Sequence, residues 1–311
     1  MPESGAYRCA GKRGVQVRRP TASLQRFSFA LARASARSSC HRAYPRDRMK
    51  GKGLRGEEGA EVDKFQEHLA KYQREIAQDI QKRTDFLYEQ IIGQGLAGAV
   101  VGISGGIDSA VTAALCVRAL GRERVIGVWM PAYSQQIHAE DAQKLAAAIG
   151  LNLVTVNLDA TYDSLVAELN RVVPLDEKTK GNTKARLRMT TLYAIANQKG
   201  YLVVDTCNRS EIYIGYMTKG GDGLADLNPV ASLTKHEIRL LAKELGIPQS
   251  IITKAPSADL WAGQTDEQEM GFTYEELDRY LITGEASPEA VEKIERLHRL
   301  SEHKRSLMPS V

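Results

Sequence analysis

A short glycine-rich stretch, VGISGGIDSAV at residues 101–111, has the residue types of an anion-binding loop. Gly105 and Gly106 let the backbone approach a ligand closely and adopt positive φ, while Ser104 and Ser109 offer hydroxyl groups. The stretch joins an apolar run to a helical pattern, and the N–H groups at the start of a helix bind phosphate. The sequence therefore predicts a phosphate-binding loop, although a tight turn without a ligand has the same pattern.

Asp108 is unexpected in such a loop, because an unpaired carboxylate repels phosphate strongly at short range. The loop lacks the lysine of the GxxxxGK[ST] phosphate loop, and it also lacks the GxGxxG spacing of dinucleotide-binding loops. A divalent cation would remove the repulsion, since Mg²⁺ binds one or two carboxylates together with phosphate oxygens and water. We therefore interpret Asp108 as a ligand of Mg²⁺.

Four apolar runs rich in β-branched residues indicate the strands that position this loop, and such runs are typical of strands buried on both faces. They lie at residues 97–103, 124–130, 151–158 and 201–206. Helical patterns ending at or near a glycine separate them, at residues 109–120, 139–149 and 185–197. The alternation predicts an α/β fold with a doubly wound, mostly parallel sheet flanked by helices. Ligands of such sheets bind beyond the carboxyl ends of the strands.

Helical patterns also flank this core on both sides. An apolar stripe at residues 62–91 predicts one or two amphipathic lead-in helices, and packing inside one chain or across a dimer would produce the same stripe. Later helix starts are marked by capping signals at Thr234 and Glu237, Thr273 and Glu276, and Ser287 and Pro288. We therefore expect extra helices in the C-terminal part of the chain.

Composition separates a basic N-terminal segment from an acidic body. Residues 1–50 hold twelve Lys and Arg against two acidic residues, a net of about +10, while the whole chain carries +4, so the remainder carries about −6. The body therefore gives no reason to expect a nucleic-acid partner. We divide the chain into a basic extension, 1–58, and one domain, 59–311. The extension is disordered, an organelle-targeting peptide, or upstream translation of a chain that starts at Met49.

Cysteine spacing and apolar content indicate the compartment. The four cysteines are not in CxxC pairs, which argues against a disulfide framework or a zinc site and suits a reducing environment. They are Cys9, Cys40, Cys116 and Cys207. Arg33 interrupts the most apolar part of the basic segment, and no apolar run approaches the about 18 residues of a membrane span. We expect a cytoplasmic protein without a membrane partner, and organelle targeting stays open.

Several blocks of the sequence, in order, resemble the ammonia-dependent NAD synthetases. SGGIDS resembles the SGGxDS pyrophosphate loop of the ATP-pyrophosphatase superfamily, which adenylates its substrates. The blocks that extend the resemblance over roughly residues 60–311 are GNTKARLRM, DTCNRSE, TKGGDGLADLNPVASLTK, GQTDEQEMG and SEHKR. The resemblance implies a Rossmann-like adenine-nucleotide hydrolase fold. It also implies the last step of NAD biosynthesis, in which deamido-NAD, ATP and ammonia give NAD, AMP and pyrophosphate through an acyl adenylate.

The resemblance also implies site residues for ATP and Mg²⁺. The ATP-binding positions it gives are Gly102, Ile103, Ser104, Gly105, Gly106, Ile107, Asp108, Ser109, Thr206, Lys235 and Ser257. Asp108 and Glu211 are the two implied Mg²⁺ ligands, and with Lys235 they are the implied catalytic residues. The pattern independently favours Lys235, because a cation in the first turn of a helix opposes the helix dipole and needs an anion such as phosphate.

The second substrate and the partners follow from the same resemblance. The positions implied to bind deamido-NAD are Arg186, Lys219, Asp226, His303 and Lys304. Lys219 lies in a glycine-rich stretch, which predicts a mobile lid. Relatives of this kind are homodimers, so we expect a homodimer. A glutaminase domain would need on the order of a hundred further residues, so we expect free ammonium, or ammonia delivered by another protein, as the nitrogen source.

Two other functions fit parts of the pattern. A tRNA-modifying adenylating enzyme would show CxxC pairs or a basic body, and this chain shows neither. A non-catalytic adenine-nucleotide-binding module would share the fold, since fold does not determine function. Such a module has no need for both Asp108 and Glu211, so turnover that depends on Asp108 separates it from an enzyme.

Overall fold

The computed structural model describes residues 63–256 and 265–310 of the chain. Its strands are β1 (Gly98–Ile103), β2 (Val125–Trp129), β3 (Asn152–Thr155) and β4 (Tyr201–Val204). Its helices are α1 (Lys64–Ile91), α2 (Ile107–Leu120), α3 (Gln136–Ile149), α4 (Asp159–Asn170), α5 (Glu177–Lys199), α6 (Arg209–Ile214), α7 (Lys235–Glu244), α8 (Gln249–Ile252), α9 (Asp266–Met270), α10 (Tyr274–Thr283), α11 (Pro288–Leu300) and α12 (Glu302–Arg305). The alternation of strands and helices confirms the α/β prediction.

The four strands form a parallel sheet in the order β3-β2-β1-β4. From β1 the chain proceeds outward through β2 to β3, and β4 then pairs on the other side of β1. The strand order therefore reverses between β1 and β4. In open parallel sheets this reversal opens a crevice at the carboxyl ends of the strands, where ligands bind.

Side chains of β1 alternate between two hydrophobic cores. Val101 and Ile103 belong to a core built with residues of α1, α2, α3 and α7. Val100 belongs to a second core, in which it packs with Met189 and Leu192 of α5. Both faces of β1 are therefore covered, as its continuous apolar run predicts. A third core joins α6 to α9, α10 and α11.

The prediction of two buried faces is wrong for β3. Its four residues are exposed or half-buried, and Val154 is 37% exposed. Among the strands that the structure describes, β3 lies at the end of the order and pairs only with β2, so its apolar run is not covered as the run of β1 is. The run identifies a strand correctly, but burial depends on the position of the strand in the sheet.

The lead-in segment forms one helix, the 28-residue α1. Its apolar stripe, including Phe65, Ile80 and Leu87, is buried within the single chain. Packing inside the chain therefore accounts for the buried part of the stripe, while Leu69 and Tyr72 of the same stripe are half-buried. None of the helices within 63–256 and 265–310 is long and apolar enough to cross a membrane.

Several helices differ from the prediction, and the short helices α6, α8, α9 and α12 were not predicted. α5 begins at Glu177, eight residues before the predicted start, because the Asp176 side chain caps it by accepting a 2.7 Å hydrogen bond from the N–H of Thr179. α4 was not predicted. The capping boxes at Thr234 and Thr273 are both formed, and both predictions are confirmed.

Candidate active site

The loop after β1 rests against α3 and faces the crevice between β1 and β4. Gly105 has φ 76°, and a Cβ atom there would lie 2.6 Å from the carbonyl oxygen of His138, so the position requires glycine. Ser109 Oγ accepts from the Ser104 N–H at 3.2 Å and donates to the Gly106 carbonyl at 3.0 Å. These bonds fold the loop into a fixed turn.

The start of α2 has the features of an anion site. Gly106 is its N-cap residue and supplies no side-chain cap, so the first N–H groups of the helix lack that usual partner. These donors open on a cavity of about 650 Å³ at the crevice. Every residue of the predicted ATP loop, 102–109, lines the cavity except Gly105, and Thr206, Glu211 and Lys235 line it too.

Lys235 lies between the two predicted metal ligands. Its Nζ atom is 2.7 Å from Oδ2 of Asp108 and 3.1 Å from Oε1 of Glu211. The lysine side chain is 3% exposed, so this is a buried ion triad rather than a surface pair. The structure therefore brings these three residues together, although Asp108 and Lys235 are 127 positions apart in the sequence.

Asn208 fixes the geometry of both carboxylates. Its side-chain oxygen accepts from the Glu211 N–H at 3.0 Å, and Glu211 Oε2 accepts from the Asn208 N–H at 3.1 Å, so the pair forms a capping box. The Asn208 amide also donates to Asp108 Oδ1 at 2.8 Å. Sequence reasoning missed Asn208, although the spacing of Asn and Glu in NRSE is that of a capping box.

A third carboxylate, Asp266 at the start of α9, adjoins the triad. The Tyr274 hydroxyl donates to its Oδ2 at 3.0 Å, and the Tyr274 ring centroid lies 4.9 Å from Lys235 Nζ. Within the described residues, Asp266 Oδ1 is buried and accepts no hydrogen bond. We call Asp108, Glu211 and Asp266, together with Lys235, the carboxylate cluster. Its carboxylates outnumber its cation.

Burial controls protonation in this cluster. Burial raises the pKa of Glu211 to about 8, with Lys235 opposing the rise and Asp108 adding to it. Burial also raises the pKa of Asp266, against the charge of Lys235. Burial alone would lower the pKa of Lys235, but Asp108 and Glu211 outweigh it and raise that pKa. The cluster therefore favours additional positive charge.

The carboxylate cluster fits a divalent cation that takes some of its ligands from elsewhere. Within residues 63–256 and 265–310, no three His, Cys, Asp or Glu side chains are grouped closely enough to hold a metal by themselves. Mg²⁺ commonly binds one or two carboxylates and completes its shell with phosphate oxygens and water. The excess of carboxylate and the orphaned oxygen of Asp266 agree with that mode of binding.

Four cations from α5, α12 and the glycine-rich stretch form a second group, the cationic cluster of Lys178, Arg186, Lys219 and Lys304. Arg186 Nε donates to the carbonyl of Lys219 at 3.2 Å, and Lys219 Nζ donates to the carbonyl of His303. Lys304 Nζ donates to the carbonyls of Gly215 and Met217, at 2.7 Å each. These partners are backbone dipoles rather than carboxylates. Lys178 and Lys304 line the cavity.

The structure brings four of the predicted deamido-NAD residues together and places Asp226 apart from them. Asp226 does not line the cavity, and its carboxylate accepts from the Val203 N–H at 2.8 Å and from the Tyr193 hydroxyl at 3.2 Å. His303 is exposed beside Lys304 and contributes its carbonyl to Lys219. Ser257, predicted to contact ATP, lies outside the described residues.

The loop after β4 contributes groups that sequence reasoning did not single out. Oδ1 of Asp205 accepts from the N–H of Thr206 at 2.6 Å and from that of Cys207 at 3.0 Å. Burial raises the pKa of Asp205 to about 6, and the two N–H groups oppose the rise. Cys207 is buried and its thiol donates to the carbonyl of Asp222. Asp205 thus orients the peptide groups that follow β4.

Comparisons with known proteins agree with these features. A family model described as NAD synthase matches residues 79–308. The NH(3)-dependent NAD(+) synthetase of Carboxydothermus hydrogenoformans is 47% identical over 229 residues, which cover 73% of this chain and 94% of that protein. The NH(3)-dependent NAD(+) synthetase of Pyrococcus furiosus is 43% identical over 235 residues, which cover 71% of this chain and 90% of that protein.

Solved structures are also similar. The structure of NMN synthetase from Francisella tularensis matches with a TM-score of 0.72 and 38% identity, over 76% of this chain and 98% of that one. The NH3-dependent NAD synthetase from Campylobacter jejuni, in complex with the nitrate ion, matches with a TM-score of 0.63 and 31% identity, over 76% and 97%. The similarity thus covers nearly all of each of these relatives.

Proposed function

The chain belongs to the NAD synthase family, and we propose that its cavity binds ATP, Mg²⁺ and deamido-NAD and amidates deamido-NAD with ammonia. The protein is a ligase that forms a carbon–nitrogen bond, and the products are NAD, AMP and pyrophosphate. One observation carries the assignment of the site: Lys235 is held between Asp108 and Glu211 beside the phosphate loop.

In this proposal ATP binds to the loop after β1. The N–H groups at the start of α2 donate to its phosphates, and Ser104 and Ser109 offer hydroxyl donors beside them. The Lys235 ammonium, which contacts Asp108 and Glu211, also interacts with a phosphate group of ATP. Asp108 and Glu211 would hold Mg²⁺, which supplies further neutralisation of the phosphate oxygens when bound.

Chemistry proceeds in two steps. The nicotinate carboxylate of deamido-NAD attacks the α-phosphorus of ATP, so that an acyl adenylate forms and pyrophosphate leaves. Ammonia then attacks the acyl carbon, AMP leaves, and one proton is released. Positioning and charge stabilisation by Lys235 and the loop N–H groups account for the role of the protein, and no enzyme nucleophile takes part.

Deamido-NAD is held by the cationic cluster. Lys219 and Lys304 donate to backbone carbonyls rather than to carboxylates, so their charge can act on the diphosphate and carboxylate of the substrate. Arg186 and His303 adjoin them, and the family resemblance adds Asp226. Thr206 at the end of β4 and Ser257 complete the proposed ATP contacts.

Pyrophosphate release tests the function. Wild-type protein should release pyrophosphate only when ATP, Mg²⁺ and deamido-NAD are supplied, and repeated turnover should also require ammonium. Asp108→Ala should abolish release, while Asp85→Ala, which removes an exposed carboxylate on α1, should leave the rate unchanged. Wild-type protein that binds ATP without any turnover would instead be a non-catalytic nucleotide-binding module.

Substrate choice has a second candidate. The similarity to an NMN synthetase makes nicotinic acid mononucleotide the alternative acceptor, because the same amidation would convert it to NMN. Comparing kcat/KM for the dinucleotide and the mononucleotide decides between them. We expect the dinucleotide to be preferred, since the curated relatives are NAD synthetases. Ammonium, free or delivered by another protein, should support turnover far better than glutamine.

We also propose the organisation in which this reaction occurs. The catalytic domain is 59–311, of which the family match covers 79–308. A homodimer would cover the exposed apolar side chains at Leu165, Val172 and Val173. Sedimentation of the protein in solution tests whether the dimer forms. Cytoplasmic location fits the free, buried thiols of Cys116 and Cys207.

A further inference from the structure

Lys254, which follows α8, reaches back to the phosphate loop. Its Nζ atom is 2.8 Å from Oδ2 of Asp141, 2.9 Å from Nδ1 of His138 and 3.3 Å from the carbonyl oxygen of Gly105. A lysine ammonium has three N–H donors and no acceptor. These three acceptors therefore match its donors, and Nδ1 of His138 must accept, which places the ring proton on Nε2.

Asp141 anchors this contact inside the protein. Its side chain is 2% exposed, and its second oxygen accepts from Lys144 at 3.3 Å and from Ser250 at 3.2 Å. The carboxylate is thus bonded to α3, to α8 and to Lys254. Because a buried carboxylate with several donors has little freedom to move, it fixes the position of the Lys254 ammonium.

The contact with Gly105 matters because of the geometry of one peptide bond. No peptide bond in the described residues is cis, and a trans peptide directs its C=O and N–H to opposite sides. Lys254, which lines the cavity, donates to the Gly105 carbonyl, so the N–H of Gly106 points to the opposite side of this peptide, where it donates to Ser104 Oγ at 3.2 Å. Gly106 lines the cavity and Gly105 does not.

We propose that Lys254 is a positioning residue of the phosphate loop. By holding the Gly105 carbonyl, it fixes the orientation of the Gly105–Gly106 peptide, so that the Gly106 N–H stays on the side of Ser104, where the ATP phosphates bind. The inference rests on the proposed function, because it takes the occupant of the loop to be ATP. His138 contacts both Gly105 and Lys254. Its backbone supports Gly105, and its ring accepts from Lys254.

Lys254→Met tests the inference, with Lys144→Met as the matched control. Both changes remove an ammonium beside Asp141, but only Lys254 contacts the loop. In Lys254→Met we expect KM for ATP to rise about tenfold, since charge-assisted hydrogen bonds are lost. KM for deamido-NAD should stay unchanged, Lys144→Met should match wild type, and Lys254→Arg should recover part of the ATP affinity.

Two measurements make the outcome decisive. An unchanged KM for ATP in Lys254→Met, or an equal rise in the KM of both substrates, would overturn the inference. Asp141→Asn separates positioning from direct contact, because loosening the anchor weakens ATP binding if Lys254 positions the loop. Tighter ATP binding by Asp141→Asn would show that Lys254 is a phosphate ligand restrained by Asp141, and would also overturn it.

The test survives failure of the proposed function. ATP binding to wild type and Lys254→Met can be measured by calorimetry without the second substrate or any turnover. A protein that binds ATP and makes no NAD would contradict the proposed function, while the ratio of the two ATP affinities would still decide the role of Lys254. Thermal unfolding of each variant, in the absence of ATP, identifies any change that comes from loss of folding.

Discussion

The carboxylate cluster and the cationic cluster adjoin one cavity but are built in opposite ways. Lys235, Glu211 and Asp108 have side chains that are 3%, 14% and 17% exposed, and they come from the N-terminal turns of helices. Arg186 and Lys219 are exposed. The Arg186 side chain donates to the backbone carbonyl of Lys219, and the Lys219 side chain donates to the backbone carbonyl of His303. The first cluster is held by hydrogen bonds and ion pairs among its own side chains and Asn208, whereas the second retains positive charge for a ligand.

The contrast separates chemistry from substrate capture. Preorganised charges in a buried site require little reorganisation when the transition state forms, and this favours a high kcat. Exposed cations are screened by salt and act mainly on association and affinity. We therefore expect changes in the carboxylate cluster to affect kcat or stability and changes in the cationic cluster to affect KM for deamido-NAD.

The largest effect should come from Lys235→Met. We expect kcat to fall by about a thousandfold, because the change removes the charge that stabilises the phosphates and leaves two buried carboxylates to repel each other. Pyrophosphate release at saturating substrates measures it. Lys293→Met, which removes a half-buried lysine paired with Glu289 on α11, is the control and should match wild type. A change confined to KM would contradict the contrast.

Next in size is the effect of pH on stability through Glu211. Its ordinary pKa is 4.5, and burial raises the pKa to about 8 in the folded protein. Between these values the unfolded chain releases the proton and the folded chain keeps it, so the free energy of unfolding falls as pH rises. The expected slope approaches about 1.4 kcal/mol per pH unit. Below pH 4.5 the contribution is fully present, and above about 8 it is lost.

Glu211→Gln should remove this dependence. Urea unfolding of wild type and variant, at about pH 5, 6.5 and 8 without ATP or metal, gives both slopes. Between the lowest and the highest pH, the free energy of unfolding should therefore fall less in the variant than in the wild type. Parallel slopes for the two proteins would mean that Glu211 is already ionised at the lowest of these pH values.

Lys304→Met should have a smaller effect, on binding. Its half-buried ammonium lines the cavity and holds the carbonyls of Gly215 and Met217. We expect KM for deamido-NAD to rise about tenfold, as for loss of one charge-assisted contact, with KM for ATP unchanged. Initial rates with each substrate varied in turn measure this. A fall in kcat without a change in KM would place Lys304 with the chemistry instead.

Lys219→Met should have the smallest effect. Its side chain is exposed, so its charge is partly screened, and we expect KM for deamido-NAD to rise about threefold at low ionic strength. The difference from wild type should disappear at about 1 M salt, where the screening length is only about 3 Å. A difference that persists at high salt would show that Lys219 is desolvated when the substrate is bound.

Local patterns predicted the parts of the protein that depend on neighbouring residues. The strand of β1, the loop after it and the capping boxes at Thr234 and Thr273 are each set by residues within a few positions. Asp108 was found from its place in the glycine-rich loop, whereas Glu211 and Lys235 came from the family resemblance, with which the position of Lys235 at a helix start agrees. The structure brings these three together, and their roles remain predictions.

Contacts between distant segments could not be predicted in this way. Asp266 reaches the cluster through Tyr274, which packs in the core of the C-terminal helices. Lys254 meets Gly105 across 149 residues, and nothing near either residue indicates the other. The exposure of β3 depends likewise on strand order, which the residues of β3 do not encode.

The long sequence separation within the carboxylate cluster has a consequence for folding. Asp108 precedes Glu211 by about a hundred residues, and its contacts with Asn208 and Lys235 require β4 to pair with β1 and α7 to dock. The closure of such long loops belongs to the late part of folding, because its entropic cost precedes the contacts that reward it. The buried triad is therefore expected to form after the rate-limiting step. Removing Lys235 should then speed unfolding far more than it slows folding.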